Sequence, residues 1–248
     1  MRKDGCFWKK LEAFVKTVLA IISSPKDNSL IARHWPFFIL TGWEILGCGT
    51  EDGRCEWPEP VMRLDTGRYG THQTPAGSAI FGLLQQELDI WKWFLDESEY
   101  DSVCVVEADN LFVRTPPEHP GSELYVVTAL PNYERAGLFN TPVYFSTPRW
   151  AGRHAARRLY EHGQEMLSRG DTQNWMSDRW PAHICHQHKI PWIAQPGWSQ
   201  FSYVWGAETW QEAWLRDARA AIKLGCYVLH SCKHLWQLQA LADLIPIL

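Results

Sequence analysis

The most constraining stretch of this chain is Val103-Cys104-Val105-Val106-Glu107-Ala108-Asp109-Asn110-Leu111-Phe112. Its first four residues are apolar and mostly β-branched. A short run of this kind, bounded by charged and turn-forming residues, predicts a fully buried strand. The run ends in two carboxylates one residue apart. Side chains at i and i+2 of an extended chain point the same way, so Glu107 and Asp109 are expected to face one site. Two acids at the end of a buried strand are costly to leave without a partner. A hard divalent cation or an array of sugar hydroxyls would satisfy them. The alternative is a strand that simply ends at the surface with both acids solvated. Position favours a ligand, because open α/β sheets bind outside the carboxyl ends of their strands.

The rest of the chain alternates strand-like and helix-like segments, which predicts an α/β fold with a mixed, mainly parallel sheet flanked by helices. Strands are expected over residues 17–22, 124–130, 142–146, 190–194 and 226–230. Helices are expected over residues 5–16, over 29–38 (stopped near Pro36), over 78–95 and over 151–167. A further helix is expected within 174–188, interrupted by Pro181, and another over 207–224, ended by Gly225. Residues 47–53 read as a glycine-rich acidic loop, and 54–77, rich in Pro and Gly, as a long functional loop.

At 248 residues the chain suits a single domain with an ample core. A net charge of −4 gives no global attraction to nucleic acid or membrane. Fifteen Trp is unusual, and Trp serves both in cores and in stacking on sugars or bases. Seven Cys without C-x-x-C pairs indicate reduced thiols and a cytoplasmic location rather than a zinc or disulfide framework. The apolar run 15–22 contains Lys16 and exits through a polar turn, so it reads as a first strand, not a signal sequence. No stretch is long enough for a membrane span.

The second chemical feature is Tyr227-Val228-Leu229-His230-Ser231-Cys232-Lys233-His234. A strand ends in His230, a suitable ligand for manganese-like ions, and Lys233 is a compact phosphate-binding charge. A histidine at a strand end is also often an ordinary surface or core residue.

The order of these features resembles nucleotide-sugar-dependent glycosyltransferases of the GT-A fold. Those enzymes share a strand ending in an acid-x-acid motif, and many have a C-terminal strand ending in His with Lys three residues later. Here these are Glu107-Ala108-Asp109 and His230 to Lys233. The resemblance implies one domain over 1–248, with a nucleotide-sugar-binding half at 1–115 and an acceptor half at 116–248. It implies Asp109 and His230 as ligands of Mn²⁺ or Mg²⁺ on the donor diphosphate, Glu107 facing the ribose or metal-bound water, and Lys233 touching phosphate. Ser23 and Ser24 would line the base and ribose, with Glu51 and Asp52 near the base. The first acid is Glu where the strict motif has Asp.

A direct transfer with inversion needs a carboxylate base for the acceptor hydroxyl. Asp178 resembles the family's acid between the two motifs, and Asp171 is a second candidate; Asp178 could equally cap a helix or pair with Arg179. His183, His186 and His188 could hold zinc, but no matching Cys pair or fourth ligand accompanies them. Arg149, Arg153 and Arg157 recur every four residues, which predicts a basic stripe on one helix face. Such a stripe is either a solvated face or a contact for a DNA acceptor bearing a hydroxymethylated base, with Trp150 stacking on a displaced base, as in phage DNA glycosyltransferases. The competing functional classes are a non-catalytic carbohydrate- or nucleotide-binding module and a metal-dependent phosphohydrolase or nucleotidyltransferase.

Overall fold

The computed structural model describes residues 15–50, 55–66, 79–131, 143–169, 180–194, 199–200, 210–230 and 232–245. The candidate residues Glu51, Asp52, Asp171 and Asp178 lie outside them, as does the expected N-terminal helix up to residue 14.

The elements are β1 (Thr17–Ile22), a 3-10 turn (Pro25–Asp27), α1 (Asn28–Ile39), β2 (Glu44–Thr50), β3 (Met62–Thr66), α2 (Ala79–Asp96), β4 (Ser102–Glu107) and β5 (Leu111–Phe112). There follow β6 (Tyr125–Pro131), β7 (Val143–Gly152), α3 (Arg153–Arg169), α4 (Trp180–His188), β8 (Trp192–Ala194), β9 (Ser199–Gln200), α5 (Trp210–Lys223), β10 (Val228–Leu229) and α6 (Leu235–Leu241). Among the described residues, seven strands form one sheet in the order β3-β2-β1-β4-β7-β6-β8, and β5-β10-β9 form a second, small sheet. Of these seven strands, only β7 runs against the others.

The central strands are continuous apolar runs because both faces are covered. Along β1, Val18, Ala20 and Ile22 pack with Leu84, Leu88 and Trp91 of α2 and with Ala155 and Leu159 of α3. The alternate residues Leu19 and Ile21 pack with Ile31, Trp35 and Phe38 of α1. The chain steps outward from β1 to β2 and β3, then returns to β4 on the other side. That reversal makes a topological switch point at the carboxyl ends of β1 and β4, where open α/β sheets bind ligands and where Ile22 is in register with Glu107. No helix among the described residues is long and apolar enough to cross a membrane.

Four expectations are corrected. Helix α1 runs through Pro36 instead of stopping there. An interior proline costs about 3 kcal/mol, but Trp35, Phe37 and Phe38 beside it are buried and each contributes about 1.5–3 kcal/mol. Residues Gly47 to Thr50 are not loop but the second half of β2. A Cβ on Gly47 would lie 2.4 Å from the Trp57 ring, so glycine there makes room for an indole, not for a turn. The expected loop 54–77 contains β3, which pairs with β2 from Leu46↔Met62 to Thr50↔Thr66.

The fourth correction concerns the arginines. Strand β7 continues to Gly152, so Arg149 belongs to a strand and not to the helix that carries Arg153 and Arg157. Arg149 is buried and bonds Glu87 of α2 at 2.8 Å. Arg153 donates to the carbonyls of Leu95, Ser98 and Tyr100. Arg157 alone of the three is exposed. Trp150 is fully buried, with its indole N–H donating to Ser102 Oγ at 3.0 Å. The expected basic stripe is therefore absent from α3.

Gly152, where β7 hands over to α3, tolerates no side chain. A Cβ there would lie 2.5 Å from Ser122 Cα and 2.6 Å from the Gly121 carbonyl oxygen, both rigid backbone. Gly152→Ala is expected to destabilise the fold by about 1–3 kcal/mol through overpacking. Urea unfolding reads this directly, and a midpoint equal to wild type would show that the 121–122 turn yields freely.

Candidate metal centre at the carboxyl edge

Glu107 is the last residue of β4, but Asp109 is not in the strand. The chain turns at Glu107–Asn110, closed by Asn110 N–H donating to the Glu107 carbonyl at 3.0 Å. The Asn110 side chain accepts from Glu107 N–H at 3.1 Å. The two acids therefore share a site because of this turn, and the strand alternation expected from their spacing does not supply it.

Two further elements hold the turn. His34 of α1 meets the Ala108 carbonyl through Nδ1 at 2.9 Å. Burial is the main influence on His34 and lowers its pKa to about 4. The neutral ring thus donates from Nδ1–H. From the other side, Cys232 N–H donates to the Asp109 carbonyl at 3.0 Å.

Strand β10 pairs antiparallel with β5, with Val228 opposite Phe112 and Leu229 opposite Leu111. One step further, the same register sets His230 across from Asn110, beside the turn. His230 Nε2 lies 3.5 Å from Asp109 Oδ1 and 3.8 Å from Glu107 Oε2. Lys233 Nζ lies 3.4 Å from Asp109 Oδ2. Ligand atoms of Glu107, Asp109 and His230 all fall within 4.8 Å of one another. Residues about 120 positions apart in sequence meet here through the small sheet.

Asp109 is buried, and its Oδ1 makes no hydrogen bond. Its partner is the longer ion pair to His230 Nε2 at 3.5 Å, which a closer partner could replace. Burial raises the Asp109 pKa, but His230 and then Lys233 outweigh it and hold the carboxyl below its ordinary value. For His230, burial alone would lower the pKa; Asp109 and then Glu107 reverse this and raise it to about 10. The imidazolium stands where a cation would otherwise balance the two acids. Two carboxylates and an imidazole are a donor set suited to Mn²⁺ or Mg²⁺.

The sign of the pH dependence follows. His230 stabilises the fold fully below its unfolded value near 6.5, and that contribution is lost as pH rises toward 10. Asp109 acts in the opposite sense, contributing above the ordinary carboxylate range and losing its contribution as pH falls. A cation must displace the His230 proton. Its affinity is expected to rise up to about tenfold per pH unit between about pH 6 and pH 8. Titration with Mg²⁺ across that range measures it, and a flat profile would remove His230 from the ligand set.

Ser23 and Ser24 follow β1 at the same edge, and Ser23 N–H donates to the Cys48 carbonyl at 2.9 Å. Ser24 offers both its N–H and its hydroxyl to Asp27, so it caps the following turn. The three helix-region histidines do not form one site. His186 is exposed, and His188 instead meets His162 and Glu165 of α3. The six described cysteines are buried and free of disulfides.

Sequence reasoning missed His34 and Asn110. Asn in a turn after a strand is a recognised signal, and His34 sits in the apolar face Ile31, Trp35, Phe38, where a lone polar residue marks a fixed partner. This chain matches no protein-family model and no curated protein sequence.

Proposed function

We propose that this chain is a divalent-cation-dependent glycosyltransferase of the GT-A kind, moving a sugar from a nucleoside-diphosphate donor to an acceptor hydroxyl. The observation that carries this reading is the convergence of Glu107, Asp109, His230 and Lys233 at the sheet's topological switch point. The mixed, mainly parallel sheet supports it as well.

Asp109 and His230 would hold the cation, Mn²⁺ or Mg²⁺, which supplies electrostatic stabilisation to the departing diphosphate. Glu107, one-third exposed, would face the donor's ribose. Lys233, more than half exposed and already beside Asp109, would carry its ammonium to the phosphate oxygens. Ser23 and Ser24, which follow β1 at the same edge, would line the base and ribose. Asp178 is our proposed base for the acceptor hydroxyl in an inverting transfer, and Glu51 and Asp52 our proposed contacts near the base. The acceptor is a hydroxyl-bearing molecule. A hydroxymethylated DNA base as acceptor would have to be bound without an arginine stripe on α3.

A thermal-shift screen of nucleoside diphosphates and nucleotide sugars, with and without Mn²⁺, tests the reading. The expected result is a rise in melting temperature that needs both nucleotide and cation, with release of nucleoside diphosphate from one sugar donor. Nucleotide binding without any release would mark a binding module, and no cation-dependent gain with any donor would end the proposal.

A further inference from the structure

Outside the carboxyl-edge centre, the chain brings together a second set of metal-binding side chains. His162 and Glu165 are three residues apart on α3 and share a helix face; His162 Nδ1 lies 3.3 Å from Glu165 Oε2. His188, the last residue of α4, stacks on His162 with ring centroids 3.4 Å apart and planes within 11°. Ligand atoms of all three lie within 4.8 Å of one another. Nothing in the proposed transfer reaction uses them.

The backbone holds this arrangement. Arg158 of α3 donates to the His188 carbonyl at 2.6 Å and pins the end of α4 against α3. Lys189 takes a left-handed φ of 52°, which turns the chain away directly after His188. Four residues after His188, Trp192 pairs with Tyr125, the first residue of β6, so the chain has reached the amino edge of the sheet. The carboxyl-edge centre is at the other edge. Arg169 occupies the Glu165 Oε1 oxygen at 2.5 Å and leaves Oε2 toward His162.

We propose that His162, Glu165 and His188 form a second cation site between α3 and α4, selective for a borderline divalent metal such as Zn²⁺. Two imidazoles and one carboxylate, with a fourth position open to water, suit Zn²⁺ and not the all-oxygen preference of Mg²⁺. In the stacked rings the nitrogen lone pairs lie in parallel planes, so one ring must rotate about its side-chain bonds to share an ion with the other. Both histidines are partly exposed and have room to do so. The bound ion would then clip the C-terminal end of α4 to α3.

The test is Zn²⁺ titration of the full chain against a chromophoric chelator, in an Asp109→Asn background that disables the carboxyl-edge centre. That background is expected to retain one Zn²⁺ equivalent and to gain thermal stability from it. His162→Ala, His188→Ala and the shape-preserving Glu165→Gln are each expected to weaken Zn²⁺ binding by about tenfold or more, while His186→Ala, an exposed neighbour, leaves it unchanged. Zn²⁺ affinity undiminished from the background in the His162→Ala and His188→Ala proteins would overturn the site. So would an equal loss in His186→Ala, which would indicate a generic histidine-bearing surface.

Discussion

Asp109→Asn is expected to abolish cation-dependent nucleotide binding while the chain still folds. Asn keeps the shape and the backbone contacts of the turn, including the Asp109 carbonyl that accepts from Cys232. What it removes is the charge that faces both His230 and Lys233. Cation affinity should fall by tenfold or more, as it does even when a supporting partner of a ligand is lost. Sugar transfer should fall by about 10²–10³-fold, the usual cost of losing one electrostatic stabiliser of a developing charge. His230 would also lose its nearest acid, so its pKa should drop from about 10 toward the ordinary imidazole range. NMR titration of His230 measures this independently of activity. An unchanged Mn²⁺-dependent melting gain in the Asn protein would exclude Asp109 as a ligand.

Glu87→Ala is expected to produce the largest loss of stability of any substitution considered. The Glu87 and Arg149 side chains are 1% and 2% exposed and lie 2.8 Å apart. Arg149 also donates to the Phe145 carbonyl at 3.1 Å. Removing the acid takes from a buried guanidinium the carboxylate 2.8 Å away, and breaking such a pair costs about 3–5 kcal/mol. That is a large share of the roughly 5–15 kcal/mol holding a domain folded. The melting temperature should fall by roughly 6–20 °C for a chain of this size. The double substitution Glu87→Leu with Arg149→Met should recover most of the loss, because it removes both charges of the buried pair together. Glu87→Ala within about 1 kcal/mol of wild type would mean that water reaches Arg149.

The same pair shows why part of the fold was illegible in sequence. Arg149 follows Pro148 and precedes a helix-forming stretch, so its spacing to Arg153 and Arg157 suggests a helix surface. Its backbone pairs with Val105 of β4 and its side chain bonds Glu87, 62 positions earlier. No local pattern carries that information. Strand β3 was hidden for a related reason: Met62 and Leu64 alternate with exposed Arg63 and Asp65, but over only five residues and amid Pro-rich chain. Pro36 carries a local penalty that its buried aromatic neighbours outweigh.

Local chemistry alone determined the strands over 17–22 and 103–107, because β-branched runs buried on both faces need no partner to be recognised. It also determined the long α2 by its apolar spacing, the α5 stop at Gly225 with its φ of 89°, and the acid pair and the His-x-x-Lys segment as separate candidates. Tertiary structure decided that they meet. The β5–β10 register carries His230 to the turn, and His34 and Cys232 hold that turn from opposite sides. Tertiary structure also decided that His188 joins His162 instead of its sequence neighbours. The physical reason is range: periodicity and turn chemistry act over a few residues, whereas an ion pair, a register or a ligand set is specified by which distant segments the core brings into contact.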